Sequence, residues 1–188
     1  MNTDFVSSIK NQAEARANFT KYGFYTANDF IYQQEMNSLF EATASYPETS
    51  LVLVFLNTNA CNNRNWGLLQ EAGDPANQLQ FLYEQLLKVE SEGKKAWIIG
   101  YMNPGSSKCN SKWARRYHAI IERFQAVVRF QLFGHEASDY FQLQFPAGSE
   151  NDPNKKPFGV TFQGPRATTL NQKPRFKVFE IDWYNYIP

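Results

Sequence analysis

Histidine is nearly missing from this chain, whose 188 residues hold only His118 and His135. A dinuclear metal site worked by a histidine general acid needs more nitrogen ligands and bases than that. Cysteine is as scarce. Cys61 and Cys109 are too few for a zinc site of the usual kind, and counting alone favours two buried thiols, because free cysteine is commonly a core residue. Charge of one sign is missing too: 19 Lys and Arg stand against 18 Asp and Glu, a formal net charge of +1. A groove that neutralises several phosphates leaves a clearer basic excess, which argues against nucleic acid as a partner. No apolar run approaches the roughly 20 residues needed to span a bilayer. The opening MNTDFVSSIK has neither the basic end nor the apolar stretch of a secretory signal. There is no G-x-S-x-G, and residues 100–105 and 159–164 lack Walker or Rossmann spacing.

Aromatic residues are abundant: 16 Phe, 10 Tyr and 4 Trp bring the hydrophobic share to 43%, enough for a packed core and too rich for a disordered tail. Residues up to about Tyr46 read as a polar helical stretch, interrupted at 21–25. Phe30, Ile31, Met36, Leu39 and Phe40 approximate one helical face, and Pro47 ends it. Residues 50–57 (SLVLVFLN) read as a strand buried on both faces. Asp74 and Pro75 open the clearest helix as cap and first helical residue, with Leu79, Leu82, Leu86 and Val89 at helical spacing and Gly93 closing it. Residues 96–100 form a short strand ending in glycine, so the unit is strand, helix, strand, with parallel strands. Ser111 caps a second helix whose buried stripe is Trp113, Tyr117, Ile120, Ile121 and Phe124. Strands follow at 126–133, 140–145, 158–162 and 176–181. The order predicts a layered α/β sandwich with mixed pairing late in the chain.

Several stretches together resemble one family. Leu56-Asn57-Thr58-Asn59-Ala60-Cys61, Asp74-Pro75-Ala76-Asn77-Gln78-Leu79, Ile99-Gly100-Tyr101-Met102-Asn103-Pro104-Gly105, the segment 130–139 (FQLFGHEASD) and Gly164-Pro165-Arg166-Ala167-Thr168-Thr169 are similar, in order and spacing, to motifs of acid-sphingomyelinase-like phosphodiesterases of the calcineurin-type metallophosphoesterases. The resemblance implies an α/β, two-sheet sandwich flanked by helices, of which this chain lacks the N-terminal half. On this reading residues 1–49 are an N-terminal helical segment with a divergent insertion at 28–47, and residues 50–188 are the C-terminal half of the phosphoesterase domain. In the family two metal ions, zinc in the acid sphingomyelinases, activate a water for in-line attack on a phosphodiester.

Carried over residue by residue, the ligand set fails. The D-x-H and G-N-H blocks of the family are absent. Gly73-Asp74 is the only Gly-Asp pair, and it sits at a helix start. Tyr101 occupies the position of one family histidine and Ala137 that of another, so only His135 is left as a vestigial metal ligand. A phenol of ordinary pKa about 10 ligates poorly at neutral pH, and alanine not at all. His118 reads as a helical residue away from the strand ends. The resemblance pairs Cys61 with Cys109 as a disulfide, which implies an oxidising compartment: the secretory lumen, a lysosome or the cell exterior. Asn18, in Asn18-Phe19-Thr20, is a glycan acceptor in such a compartment. Asn103 and Arg166, with His135, are the residues that would hold a phosphate-bearing ligand without cleaving it, against ordinary loop chemistry as the plainer reading.

The expected function is therefore a non-catalytic, phosphodiesterase-like structural or interaction subunit, with a protein partner covering the missing half and no metal. The alternative is the back half of a metal-dependent phosphodiesterase, with zinc as cofactor and its front half on another segment.

Overall fold

A computed structural model describes residues 11–28, 51–66, 73–166, 173–182 and 185–187. The helical face proposed for Phe30 to Phe40, with its end at Pro47, lies outside them, as do Ala167, Thr168 and Thr169. The described residues form α1 (Gln12–Tyr22), β1 (Tyr25–Asn28), β2 (Leu51–Leu56), α2 (Gln78–Ser91), β3 (Lys95–Met102), α3 (Ser111–Arg123), β4 (Val128–Gly134), β5 (Tyr140–Gln144) and β6 (Gly159–Gln163). All six strands join one mixed sheet in the order β1-β2-β3-β4-β6-β5. β2, β3, β4 and β6 run parallel, and β1 and β5 close the two edges antiparallel. The α/β class and the late mixed pairing are as expected.

Sequence and structure part in several places. The polar helical stretch ends at Gly23, left-handed at φ 74°, whose N–H bonds back to Phe19 O. The next residues, Tyr25–Asn28, pair with β2 rather than continuing a helix. Asp74 does cap, but three residues further on. A short 3-10 turn, Pro75–Asn77, holds Ala76 and Asn77 at positive φ, and the two Asp74 carboxylate oxygens accept from Leu79 N (2.8 Å) and Gln80 N (3.0 Å) at the start of α2. At α3 the capping side chain is Asn110, not Ser111, accepting from Lys112 N and Trp113 N. Residues 176–181, expected as a strand, carry no ladder. Phe179 instead lays its ring against Phe130 and Phe162.

One face of the sheet is filled by α2 and α3. Val54, Ile98, Leu82, Leu86, Trp113 and Ile121 are fully or almost fully buried in this core, the stripes predicted from helical spacing. Gln78 locks β2 to α2: its side chain accepts from Asn57 N (2.6 Å) and donates to Asn57 O (3.2 Å), so the backbone leaving β2 has both polar groups satisfied. β3 runs through Gly100 to Met102 instead of ending at the glycine. A Cβ at Gly100 would stand 2.8 Å from the Phe133 ring and 3.0 Å from Thr58 Cγ2, so the glycine allows a close approach that no other residue does. Thr58 Oγ1 accepts from Met102 N at 2.6 Å, tying the turn after β2 to the end of β3.

Cys61 and Cys109 are joined as a disulfide, as the resemblance implied, over a sequence separation of 48. Backbone bonds reinforce the link, Asn110 N to Cys61 O at 2.6 Å and Asn63 N to Lys108 O at 2.8 Å. On the chain-entropy account, closing such a loop stabilises by about 4 kcal/mol. Cys61→Ser or Cys109→Ser, or reduction of the wild type, is thus expected to lower stability by up to about 4 kcal/mol in urea unfolding. Gly100→Ala is expected to cost about 1–3 kcal/mol by overpacking against Phe133, read as a lower urea midpoint at unchanged slope.

Candidate functional site

Parallel strands bring their carboxyl ends to one edge, where open α/β sheets place their ligand sites. Here that edge gathers Asn57 after β2, Tyr101 to Asn103 at the end of β3, His135 to Ala137 after β4, and Gly164 to Arg166 after β6. The chain leaves β4 through a strained turn, with His135 at φ 75° and Ala137 at φ 58°, conformations that cost a non-glycine residue free energy. Its Glu136 carboxylate accepts from Ser106 Oγ (2.6 Å) and Lys108 Nζ (2.9 Å). The Ser106 hydrogen bond first, and Lys108 second, hold it below the usual carboxylate range. This turn is thereby fastened to the loop between β3 and α3.

Of the residues singled out from sequence, the fold brings Tyr101 and His135 together. Their rings meet edge to face with centroids 5.0 Å apart. His135 Nδ1 is buried without a hydrogen-bond partner among the described residues, and the Tyr101 side chain stands half in solvent. Ala137 contributes a methyl group. One imidazole, one phenol and an alanine do not fit a zinc pair, and among the described residues no three His, Cys, Asp or Glu side chains converge to hold a metal ion.

Asn103 is fully buried. Its Nδ2 donates to Gln142 Oε1 (2.9 Å) and Thr161 Oγ1 (3.1 Å), and its Oδ1 accepts from Gly105 N (2.9 Å). The side chain is therefore engaged in joining β3 to β5 and β6. Arg166 follows β6, and its carbonyl accepts from Arg175 N at 2.9 Å. Asn18 lies within α1, half-buried, and the Thr20 hydroxyl of its triplet donates to Arg16 O at 2.8 Å. His118 sits on α3 with Nδ1 3.9 Å from Glu122 Oε2 and its ring edge-on to Phe158.

Sequence reasoning missed a polar layer under α3. Tyr117 Oη donates to Gln131 Oε1 (2.8 Å), and Gln131 Nε2 donates to Gln144 Oε1 (2.6 Å). Burial pushes the Tyr117 phenol well above its ordinary range, so it remains a donor. Gln163, also fully buried, has neither amide atom partnered among the described residues. The available signal was the alternation in β5, where Gln142 and Gln144 point to the helix-covered side while Phe141 and Leu143 are 61% and 49% exposed, the reverse of the usual pattern.

No family model matches the chain. Among curated proteins it is similar to the sphingomyelin phosphodiesterase of Bos taurus (36% identical, 72% of this chain, 21% of the relative) and to that of Homo sapiens (35%, 76% and 22%). The acid sphingomyelinase-like phosphodiesterase 3b of Mus musculus is 25% identical across 96% of this chain and 47% of its own length. The chain thus spans about a fifth of the length of the first two. Over the stretch it shares with these relatives, the chain belongs to the family of sphingomyelin phosphodiesterases and acid-sphingomyelinase-like phosphodiesterases, of whose domain it spans a part.

Proposed function

We propose that this chain is a non-catalytic, phosphodiesterase-like structural or interaction subunit whose second sheet face is covered by a further protein segment. The observation that carries the reading is that face. Register places Phe55, Ile99, Leu132, Phe162 and Phe141 side by side across five strands, and Leu143 and Tyr101 lie at 49% and 51% exposure. Phe179 and Tyr186 begin a second layer over it, with Trp97 Nε1 donating to Tyr186 O at 2.8 Å. That layer turns outward again with Phe176 at 86% and Val178 at 79% exposure. An apolar surface of this extent marks a contact site. The ligand positions at Tyr101 and Ala137 support a role without metal chemistry, and the disulfide supports residence in an oxidising compartment: secretory lumen, lysosome or cell exterior.

A second reading has one observation in its favour. Tyr101 and His135 still meet at the strand-end edge, as they would in the back half of a metal-dependent phosphodiesterase whose other zinc ligands come from a separate segment. Hydrolysis of sphingomyelin or of another phosphodiester would then be its reaction.

Two outcomes are expected. Protein purified from its own source, with whatever it is bound to, shows no hydrolysis of sphingomyelin or of a chromogenic phosphodiester that a chelator abolishes; chelator-sensitive turnover would support the second reading instead. The chain alone binds an apolar fluorescent dye, and the double substitution Phe141→Gln with Leu143→Gln lowers that signal by roughly half. The same substitutions change unfolding free energy by no more than about 0.5 kcal/mol, as expected of exposed positions.

A further inference from the structure

Between α3 and the β5–β6 edge lies a cleft of about 500 Å³, within the range of small-molecule sites. Its floor carries Asn103, Gln142, Gln144 and Thr161, and its α3 wall carries Arg115 and His118. The two glutamine amides are held in one orientation. Gln142 Oε1 accepts from Asn103 Nδ2 and packs where a Cβ on Gly105 would stand only 2.5 Å away. Gln144 Oε1 accepts from Gln131 Nε2 and sits 2.7 Å from where a Cβ on Gly159 would be. Two glycines therefore make room for the two carbonyl ends, and the buried Tyr117–Gln131 bond fixes the second of them.

With both acceptors turned inward, each glutamine keeps its Nε2 donors. Neither Nε2 meets an acceptor among the described residues, and Arg115, exposed on the wall, has no carboxylate partner there. The only carboxylate on α3, Glu122, accepts from Ala147 N (3.3 Å) and stands 3.9 Å from His118 Nδ1. The cleft is thus rich in donors and poor in free acceptors, with Pro104 and Phe145 offering an apolar wall. Donors that are placed and unpaired call for a ligand that brings acceptors, and a guanidinium favours one with negative charge.

We propose that this cleft binds a small ligand with an oxyanion head group, whose oxygens accept from Gln142 Nε2, Gln144 Nε2 and the Arg115 guanidinium. The site lies under α3, on the helix-covered side of the sheet, and it does not depend on whether the chain is catalytic.

The test is a side-chain amide NMR titration of the full chain at constant ionic strength, with inorganic phosphate, acetate and choline chloride as separate probes. The Gln142 and Gln144 NH2 signals are expected to shift and saturate with phosphate, acetate or both, which also tells a tetrahedral from a planar head group. Arg115→Gln, a substitution at an exposed position, is expected to weaken that binding about tenfold, and Lys88→Gln on α2 to leave it unchanged. The proposal fails if neither anion moves these signals saturably, if choline moves them equally, or if Arg115→Gln binds as the wild type does.

Discussion

A parallel sheet needs cover on both faces, because its strands are apolar on both sides and its crossovers can shield only what they pass over. Everything else in this structure follows from how that requirement is met here. The crossover helices α2 and α3 bury one side of β2, β3 and β4 to near completeness. On the other side, Leu51, Leu53 and Ala27 gather with Tyr186, and Phe179 shields Phe130 and Phe162. Beyond them the apolar surface continues to Phe141 and Leu143 at the β5 edge. The relatives that the chain matches are much longer than it is.

The helix-covered side departs from an ordinary core as it nears β5. Apolar packing gives way to Tyr117, Gln131, Gln144, Gln142, Thr161 and Asn103, connected in short chains of hydrogen bonds. These bonds hold the layer in one arrangement, since losing one leaves a buried group unpaired at a cost of about 1–3 kcal/mol. The register of β5 on β6 is set by this layer as much as by the ladder: a slip of one residue would carry Phe141 and Leu143 inward and strand the glutamines outside.

Strong periodicity made most of the sheet readable. Seven elements, β2 through β6 with α2 and α3, fall within a few residues of where apolar runs and stripes place them. β1 escaped because four residues directly after a helix offer too short an alternation to register. The caps were misplaced by one or three residues because Ser111 and Asn110 are both good N-caps, and because nothing local announces that Ala76 and Asn77 adopt positive φ. At the strand ends, the meeting of Tyr101 with His135 was legible through the family motifs. The burial of Asn103 was not, since its partners lie 39 and 58 residues away, and such a partnership has no signature in the neighbouring sequence.

The Cys61–Cys109 bond encloses α2 and β3 whole within its covalent ring. A protease that cuts once inside this ring, at any peptide bond between the two cysteines, leaves a single covalent molecule, with the helix-face packing and the Thr58–Met102 tie still holding the cut ends in register. Fragments would separate only after reduction. The ring thus gives the central layer of the fold a tolerance to nicking that the segments outside it do not share, a property of value to any protein that resides among hydrolases.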